Sequence, residues 1–416
     1  MKRIKQTTTT IVAFLIFLAP LRAQNVELKD DILNAMNDVG TYAADVLLDE
    51  EGKSKCDYNL TEGKWYPYEP AWHTGQVIYG LTEAYRVTGN EKFLQAAKRA
   101  GDWWVSLEIK DHPKLKGMLR AQHGDHAGDV IVFATVSDGT GGLYKLYETT
   151  DIEKYAEVPT GAGAWMLENM CELDKGVCYD NVDPITGEVL KDRSPFWPEK
   201  ENPTLYEVAR PNTEGSLFLD MYEYTGNEEY KNAFLILCES LLDTQTEQGL
   251  WMDFMPNFKE AGTYHPRFNL WYAESLIDAY ELTNDKRFLM GAKKTAQMYA
   301  KAQDGAGTIY YKNYVDGDRN ENSITGSAVA FSGIIWLRLL EHGEGDEFKE
   351  NIEQSIDWIL ANRFYSDHPD PNLRGAVLNT RLRHRKGKLW LVNRDVGTSF
   401  GLRFMAKYYD YITKKQ

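Results

Sequence analysis

Six short stretches carry the side chains best suited to chemistry: Trp72-His73, Asp138, Arg210-Pro-Asn212-Thr-Glu214, His265-Pro-Arg267-Phe-Asn269-Leu-Trp271, Ser323-Ile-Thr325 and Asn393-Arg394-Asp395. Carboxyl groups such as Asp138 and Glu214 can give or take a proton at a scissile bond when their surroundings set their pKa values apart. Arg210, Arg267 and Arg394 offer planar forks that match a carboxylate or sulfate. Trp72 and Trp271 offer flat faces for a sugar ring. Each residue also has a plainer use. Asp138, Asn212 and Asn393 are of the types that cap a helix start, Glu214 suits the acidic place of a capping box, and Arg267 or Arg394 can pair with an acid to hold a loop. The convergence of the set, rather than any one member, points to a site.

The loop Gln122-His123-Gly124-Asp125-His126-Ala-Gly-Asp129 gathers a second group of ionisable side chains. His-x-x-His in this glycine-rich setting matches no strong metal signature, so neither metal nor cofactor is expected, and His123 and Asp125 join the substrate-binding candidates. No Gly-x-Ser-x-Gly elbow, phosphate loop, His-Glu-x-x-His or dinucleotide fingerprint stands in a convincing context.

The elements that must position these groups show themselves as a repeat. Tyr85-Arg-Val-Thr88-Gly89-Asn90 is followed by Tyr147-Glu-Thr-Thr150-Asp151, Tyr224-Thr225-Gly226-Asn227, Tyr280-Glu-Leu-Thr283-Asn284-Asp285 and the worn Glu341-His-Gly343-Glu-Gly345. Gly89 or Gly226 can take the left-handed conformation that ends a helix, and Asn90 or Asn227 can cap the next. Each repeat is then a helical hairpin. An apolar inner helix precedes each hinge (75–87, 139–149, 213–224, 270–282, 325–340, 396–412), and amphipathic outer helices follow (91–105, 229–244, 286–301, 348–361, with 30–48 preceding the first). Six such units make an all-α (α/α)6 barrel. Long Gly-, Pro- and Asp-rich connections join each outer helix to the next inner one, and they must gather on one face. The inner helices begin at that face, where their dipoles favour an anion.

The net charge of −15 excludes nucleic acid and anionic membranes as partners and makes local gatherings of arginine informative. Lys2 and Arg3 followed by the apolar run Ile11–Ala19 read as a signal peptide over residues 1–23, leaving a single domain over 24–416 exported to the periplasm or beyond. The run is too short to span a bilayer, so membrane insertion is not expected. Of four cysteines, Cys171 and Cys178 are close enough to pair, whereas Cys238 lies in an apolar helical run and reads as a small buried hydrophobe.

Arg267-Phe-Asn269-Leu-Trp271 is similar to the Arg-x-Asn-x-Trp opening of the fourth inner helix in glycoside hydrolase family 105. Over its whole length the chain resembles the (α/α)6 hydrolases that act on glucuronyl residues: the unsaturated glucuronyl and rhamnogalacturonyl hydrolases of families 88 and 105, and the β-glucuronidases of family 154. The resemblance implies that Arg267 and Trp271 line the substrate site and that two carboxylates at neighbouring inner-helix starts flank the reacting bond. The nearest here are Asp138 and Glu214, about one turn deeper than the family aspartates, and the second is a Glu. The implied activity is exo-acting removal of a terminal glucuronic or unsaturated uronic acid from an oligosaccharide. Asp138 and Glu214 would carry it, with Trp72, His73, His123, Asp125, Arg210, Asn212, His265, Arg267, Asn269, Trp271 and Arg394 around the sugar. Two other classes use similar residues: a uronate lyase with His73, His265 or Tyr264 as base and Asn269 as neutraliser, and a non-catalytic glycan-binding protein. A sugar epimerase of the N-acylglucosamine type shares the barrel, but the export signal weighs against it.

Overall fold

The computed structural model describes residues 27–122, 130–195, 200–385 and 387–414. Among them twelve helices build the ring: α1 (27–42, running into a π turn at Ala43–Leu47), α2 (Pro70–Thr88), α3 (Glu91–Val105), α4 (Phe133–Thr150), α5 (Lys154–Met170), α6 (Leu217–Thr225), α7 (Glu228–Thr244), α8 (Phe268–Thr283), α9 (Lys286–Ala302), α10 (Gly326–Glu341), α11 (Lys349–Ala361) and α12 (Val396–Lys414). Even-numbered helices form the inner layer, and α12 packs back on α2 to close the ring. The layers differ as their sequences require. Helix α3 buries Phe93, Ala97, Ala100 and Trp104 along one stripe and leaves Lys92, Gln95 and Arg99 in water, whereas α10 is buried nearly all round.

The hinges follow from local chemistry. Gly89, Asp151, Gly226 and Asn284 end their helices at φ 68°, 54°, 70° and 60°. One residue later, the Asn90, Asn227 and Asp285 side chains accept the backbone N–H of Lys92, Glu229 and Arg287.

The starts of the inner helices depart from expectation. Helix α2 begins at Pro70, with proline in the first turn, and α4 at Phe133, so Asp138 sits in the second turn and caps nothing. The third inner helix, expected over 213–224, is broken. Glu214–Ser216 form a 3-10 turn in which Gly215 and Ser216 have φ 76° and 54°, and the α-helix runs only from Leu217.

The long connections also carry short strands, too brief for a two-residue period to reveal them. β1 (Asp57–Asn59), β2 (Lys64–Tyr66), β11 (Thr380–Arg385) and β12 (Lys388–Asn393) form one sheet in the order β11-β12-β1-β2, tying the first connection to the last. β8 (Thr263–Tyr264), β9 (Tyr310–Tyr314) and β10 (Arg319–Ile324) form another. β3 (Ile131–Val132) pairs with β6 (Asn181–Val182), and β5 (Val177–Tyr179) lies between β4 (Cys171–Glu172) and β7 (Ala209–Arg210). Cys171 and Cys178 face each other across β4 and β5 and are joined as a disulfide, while Cys238 is buried and free.

Helices α2 and α4 touch backbone to backbone. A Cβ on Gly75 would lie 2.1 Å from the Gly139 carbonyl oxygen, and one on Gly142 would lie 2.2 Å from that of Gly75. Gly142→Ala should therefore force the pair apart at a cost of about 1–3 kcal/mol. Urea denaturation would report this as a lowered midpoint with an unchanged slope; a midpoint equal to wild type would show that the contact is loose.

Candidate active site

The close approach of α2 and α4 sets the floor of the barrel. Trp72, in the first turn of α2, points its indole at α4, where Nε1 donates a short hydrogen bond to Asp138 Oδ2. Gln76, one turn on, donates from Nε2 to the Asp138 backbone carbonyl at 3.0 Å. The Asp138 side chain is buried, and that burial raises its carboxyl from 3.8 to about 7, against the pull of the Trp72 N–H and of Arg403; Glu274 and Glu214 add to the rise. Near neutrality Asp138 therefore holds its proton much of the time.

Glu214 comes to the same floor because of the break before α6. Gly215 lies against the Asp138 backbone, where a Cβ would come within 2.5 Å of its Cα, so the turn is pressed onto α4. Glu214 is buried too, and burial raises its pKa while Arg210 opposes the rise. Its Oε1 lies 3.5 Å from the Arg210 guanidinium, but neither carboxylate oxygen has an aligned hydrogen bond among the described residues.

The three arginines differ in what neutralises them. Arg210 donates from Nε to Asp180 Oδ1 at 3.0 Å and from Nη1 to the Met255 carbonyl at 2.7 Å. Arg394 spans both oxygens of Asp57 at 3.1 Å and reaches Glu69 at 3.4 Å. Arg267 is 2% exposed and has no carboxylate partner among the described residues. Its Nη1 donates to Ser327 Oγ at 2.8 Å, its Nε is unpartnered, and its guanidinium carbon lies 5.7 Å and 5.8 Å from the ring centres of Trp72 and Trp271. Burial lowers its pKa to about 10, and Arg394 and Arg381 push the same way. The Trp271 indole N–H is likewise buried without an acceptor. Arg267, Trp72, Trp271 and Asp138 thus form one contiguous group.

The remaining sequence candidates surround that group with their polar atoms already bonded. His73 binds Asp395 through Nδ1, while its Nε2 lies 3.0 Å from Arg394 Nη2 and 3.6 Å from Glu69; burial and Arg394 lower its pKa, but Asp395 and Glu69 outweigh them and raise it to about 9. Ser54 Oγ donates to the other Asp395 oxygen at 2.5 Å. His265 accepts the backbone N–H groups of Arg267 and Phe268 at Nδ1, at 3.2 Å and 3.1 Å, which places its proton on Nε2, 3.3 Å from the Tyr311 hydroxyl. Burial, then Arg267 and Arg381, hold it well below the usual histidine pKa, so it is neutral. Asn212 Nδ2 donates to the Cys178 carbonyl and Asp180, and Asn269 Oδ1 accepts from Trp251 N and Asn257. His123 and Asp125 lie outside the described residues. Asp57, His73 and Asp395 come within 4.8 Å of one another, the range of a metal site, but Arg394 already holds Asp57, and His73 Nδ1 and Ser54 Oγ hold the two oxygens of Asp395.

The sequence reading missed the groups behind Asp138. A cavity of about 530 Å³ lies between the inner helices on the hinge side, with Asp138, Gln76, Glu274 and Arg403 in its lining. Arg403 bonds Glu274 at 3.0 Å across it. Arg403, Glu274 and Gln76 sit mid-helix, where residue type alone gives no signal.

No family model matches the chain, and no curated protein does. Solved structures do match its fold. Cellobiose 2-epimerase from Spirochaeta thermophila aligns with a TM-score of 0.69 at 13% identity, over 95% of this chain and 100% of that one. An unsaturated glucuronyl hydrolase with dGlcA-Glc-Rha-Glc aligns with a TM-score of 0.65 at 13% identity, over 91% and 97%. A possible member of glycoside hydrolase family 105 from Klebsiella pneumoniae aligns with a TM-score of 0.60 at 16% identity, over 94% of each. The chain has the (α/α)6 barrel fold of these enzymes, hydrolases and epimerases alike.

The raised Asp138 pKa has a consequence for stability. A carboxyl at 3.8 in the unfolded chain and about 7 in the folded one contributes stability fully below pH 3.8, and loses it as pH rises through 7. Asp138→Asn keeps an acceptor for Trp72 and has no proton to lose. Its Tm relative to wild type should therefore climb between about pH 4 and about pH 8; a difference constant with pH would show that Asp138 titrates normally.

Proposed function

We propose that this protein is an exported glycoside hydrolase that removes a terminal glucuronic or unsaturated uronic acid from an oligosaccharide. The observation that carries the reading is the buried Arg267 guanidinium, without a counterion among the described residues, one indole away from the Asp138 carboxyl, whose pKa burial lifts to about 7. A buried cation of this kind is costly unless an anion arrives to meet it. A sugar carboxylate would supply that anion and set the glycosidic oxygen or the ring double bond toward Asp138.

In this reading Asp138 is the general acid. It gives its proton to the leaving oxygen of a saturated glucuronide, or to the double bond of an unsaturated one, and water completes the reaction. Glu214, with Arg210 beside it, is the second carboxylate. Trp72 limits the rise of the acid's pKa and, with Trp271, walls the sugar. Arg210, Arg394, His73, Asn212 and Asn269 hold the mouth in shape through the bonds they already make. The apolar run near the N-terminus and the Cys171–Cys178 disulfide both fit an oxidising compartment outside the cytoplasm.

Epimerases share the barrel, and lyases draw on similar residues, but both chemistries call for a free base. Here His73 has Asp395 on Nδ1 and Arg394 Nη2 3.0 Å from Nε2, His265 has its basic nitrogen filled by two backbone N–H groups, and Tyr264 is buried with its pKa raised. These states favour acid catalysis by Asp138.

Asp138→Asn should slow release from 4-nitrophenyl β-glucuronide or an unsaturated uronyl disaccharide by at least about 100-fold, with an unchanged circular dichroism spectrum. Arg267→Met should lower kcat/KM on the same substrate by about 10- to 100-fold, the worth of a charge-assisted hydrogen bond. Wild-type rates in Asp138→Asn would remove the acid assignment, and equal turnover of glucosides and glucuronides by wild type would remove the uronate.

A further inference from the structure

The rim of the mouth carries positive charge that the chemistry at Asp138 does not use. In sequence, Arg381, Arg383, His384, Arg385, Lys386 and Lys388 follow one another closely, in a chain whose net charge is −15. The strand alternation puts Arg381 and Arg383 on the same face, paired in register with Val392 and Trp390. Their surroundings are unequal. Arg383 lies 4.0 Å over the Tyr68 ring with Nη1 3.5 Å from Asp57, so it shares the carboxylate that Arg394 holds.

Arg381 lies 4.1 Å over the Tyr311 ring and has no carboxylate partner among the described residues. It is half-buried. Tyr311 meets His265, which caps the backbone of Arg267, so the stacked arginine stands on the wall above the floor cation. Its charge is felt at both His265 and Arg267, lowering their pKa values. A guanidinium stacked on an aromatic ring is restrained, with its N–H fork free at the edge for a planar anion. With acids in excess over the whole chain, an arginine left without one beside a second unpaired arginine keeps the mouth positive.

We infer that Arg381, held on Tyr311, forms a second anion subsite that takes a carboxylate or sulfate on the sugar next to the terminal uronate, so that the favoured substrate is polyanionic. The identity of the terminal sugar rests on the hydrolase reading above; the second anion does not.

The test compares kcat/KM on an unsaturated chondroitin disaccharide without sulfate, its 6-sulfated form and unsaturated digalacturonate, in wild type, Arg381→Gln and Arg381→Lys. Wild type should favour at least one doubly anionic probe by about 10-fold over the singly anionic one, as expected for one charge-assisted contact. Which of the two it favours separates sulfate from carboxylate. Arg381→Gln should bring the ratio close to one, Arg381→Lys should restore most of it, and added salt should shrink it. A wild-type ratio near one, or a ratio untouched in Arg381→Gln, overturns the subsite. Should no probe be cleaved, the hydrolase reading fails, and calorimetric binding of the same probes decides the subsite. Weaker binding of the doubly anionic probe to Arg381→Gln than to wild type supports it, and equal binding overturns it.

Discussion

The hydrogen bond from the Trp72 indole to the Asp138 carboxyl is the interaction around which the floor of the barrel is arranged. It exists because Gly75 and Gly142 let two inner helices meet through their backbones, closer than any side chain would allow. The same closeness helps to bury Asp138, and that burial lifts its pKa; the indole N–H limits the rise by favouring the charged form. Gly215, in a left-handed conformation, presses the Glu214 turn onto the same stretch of α4. Two carboxyl groups in different environments result, Asp138 near an Arg403 that is bonded to Glu274, and Glu214 beside Arg210. That difference is what acid catalysis requires.

Around this floor the charges divide into those that hold the mouth and one that does not. Asp57, Glu69 and Asp395 meet Arg394 and His73 in a buried network that joins the first connection to the last, across the seam where the ring closes. Buried charges of this sort are tolerable because each has an opposite partner. Arg267 breaks the pattern. Two indoles and a serine hydroxyl surround it, and burial with Arg394 and Arg381 lowers its pKa further than Tyr311 and Glu69 raise it. An anionic ligand would complete the set.

The hinges were legible in the sequence because they are local: a left-handed Gly89 or Gly226 followed by a capping Asn90 or Asn227 needs nothing from the rest of the chain. The helix starts were less so. Pro70 and Phe133 stand in stretches whose turn and β-branched residues mask the helical period, and the break at Gly215 arises from its contact with α4. That Asp138, Glu214, Arg210, Arg267 and Arg394 stand near the starts of inner helices followed from the repeat alone. Separating Arg267 from Arg210 and Arg394 did not, because the distinction lies in Asp180, Asp57 and Glu69, which are remote from their arginines in sequence. The alternating arginines 381, 383 and 385 were a strand signal that sequence reasoning passed over.

The account depends most on Asp138 being a carboxylic acid near neutral pH whose proton is governed by Trp72. A pH titration of carboxyl-13C aspartate by NMR, with Asp138 assigned by its loss in Asp138→Asn, measures this directly. The account predicts a midpoint near 7 in wild type and a higher one in Trp72→Phe, where the donor to the charged form is gone. A wild-type midpoint near 3.8, or one that falls or stays in place in Trp72→Phe, would contradict it.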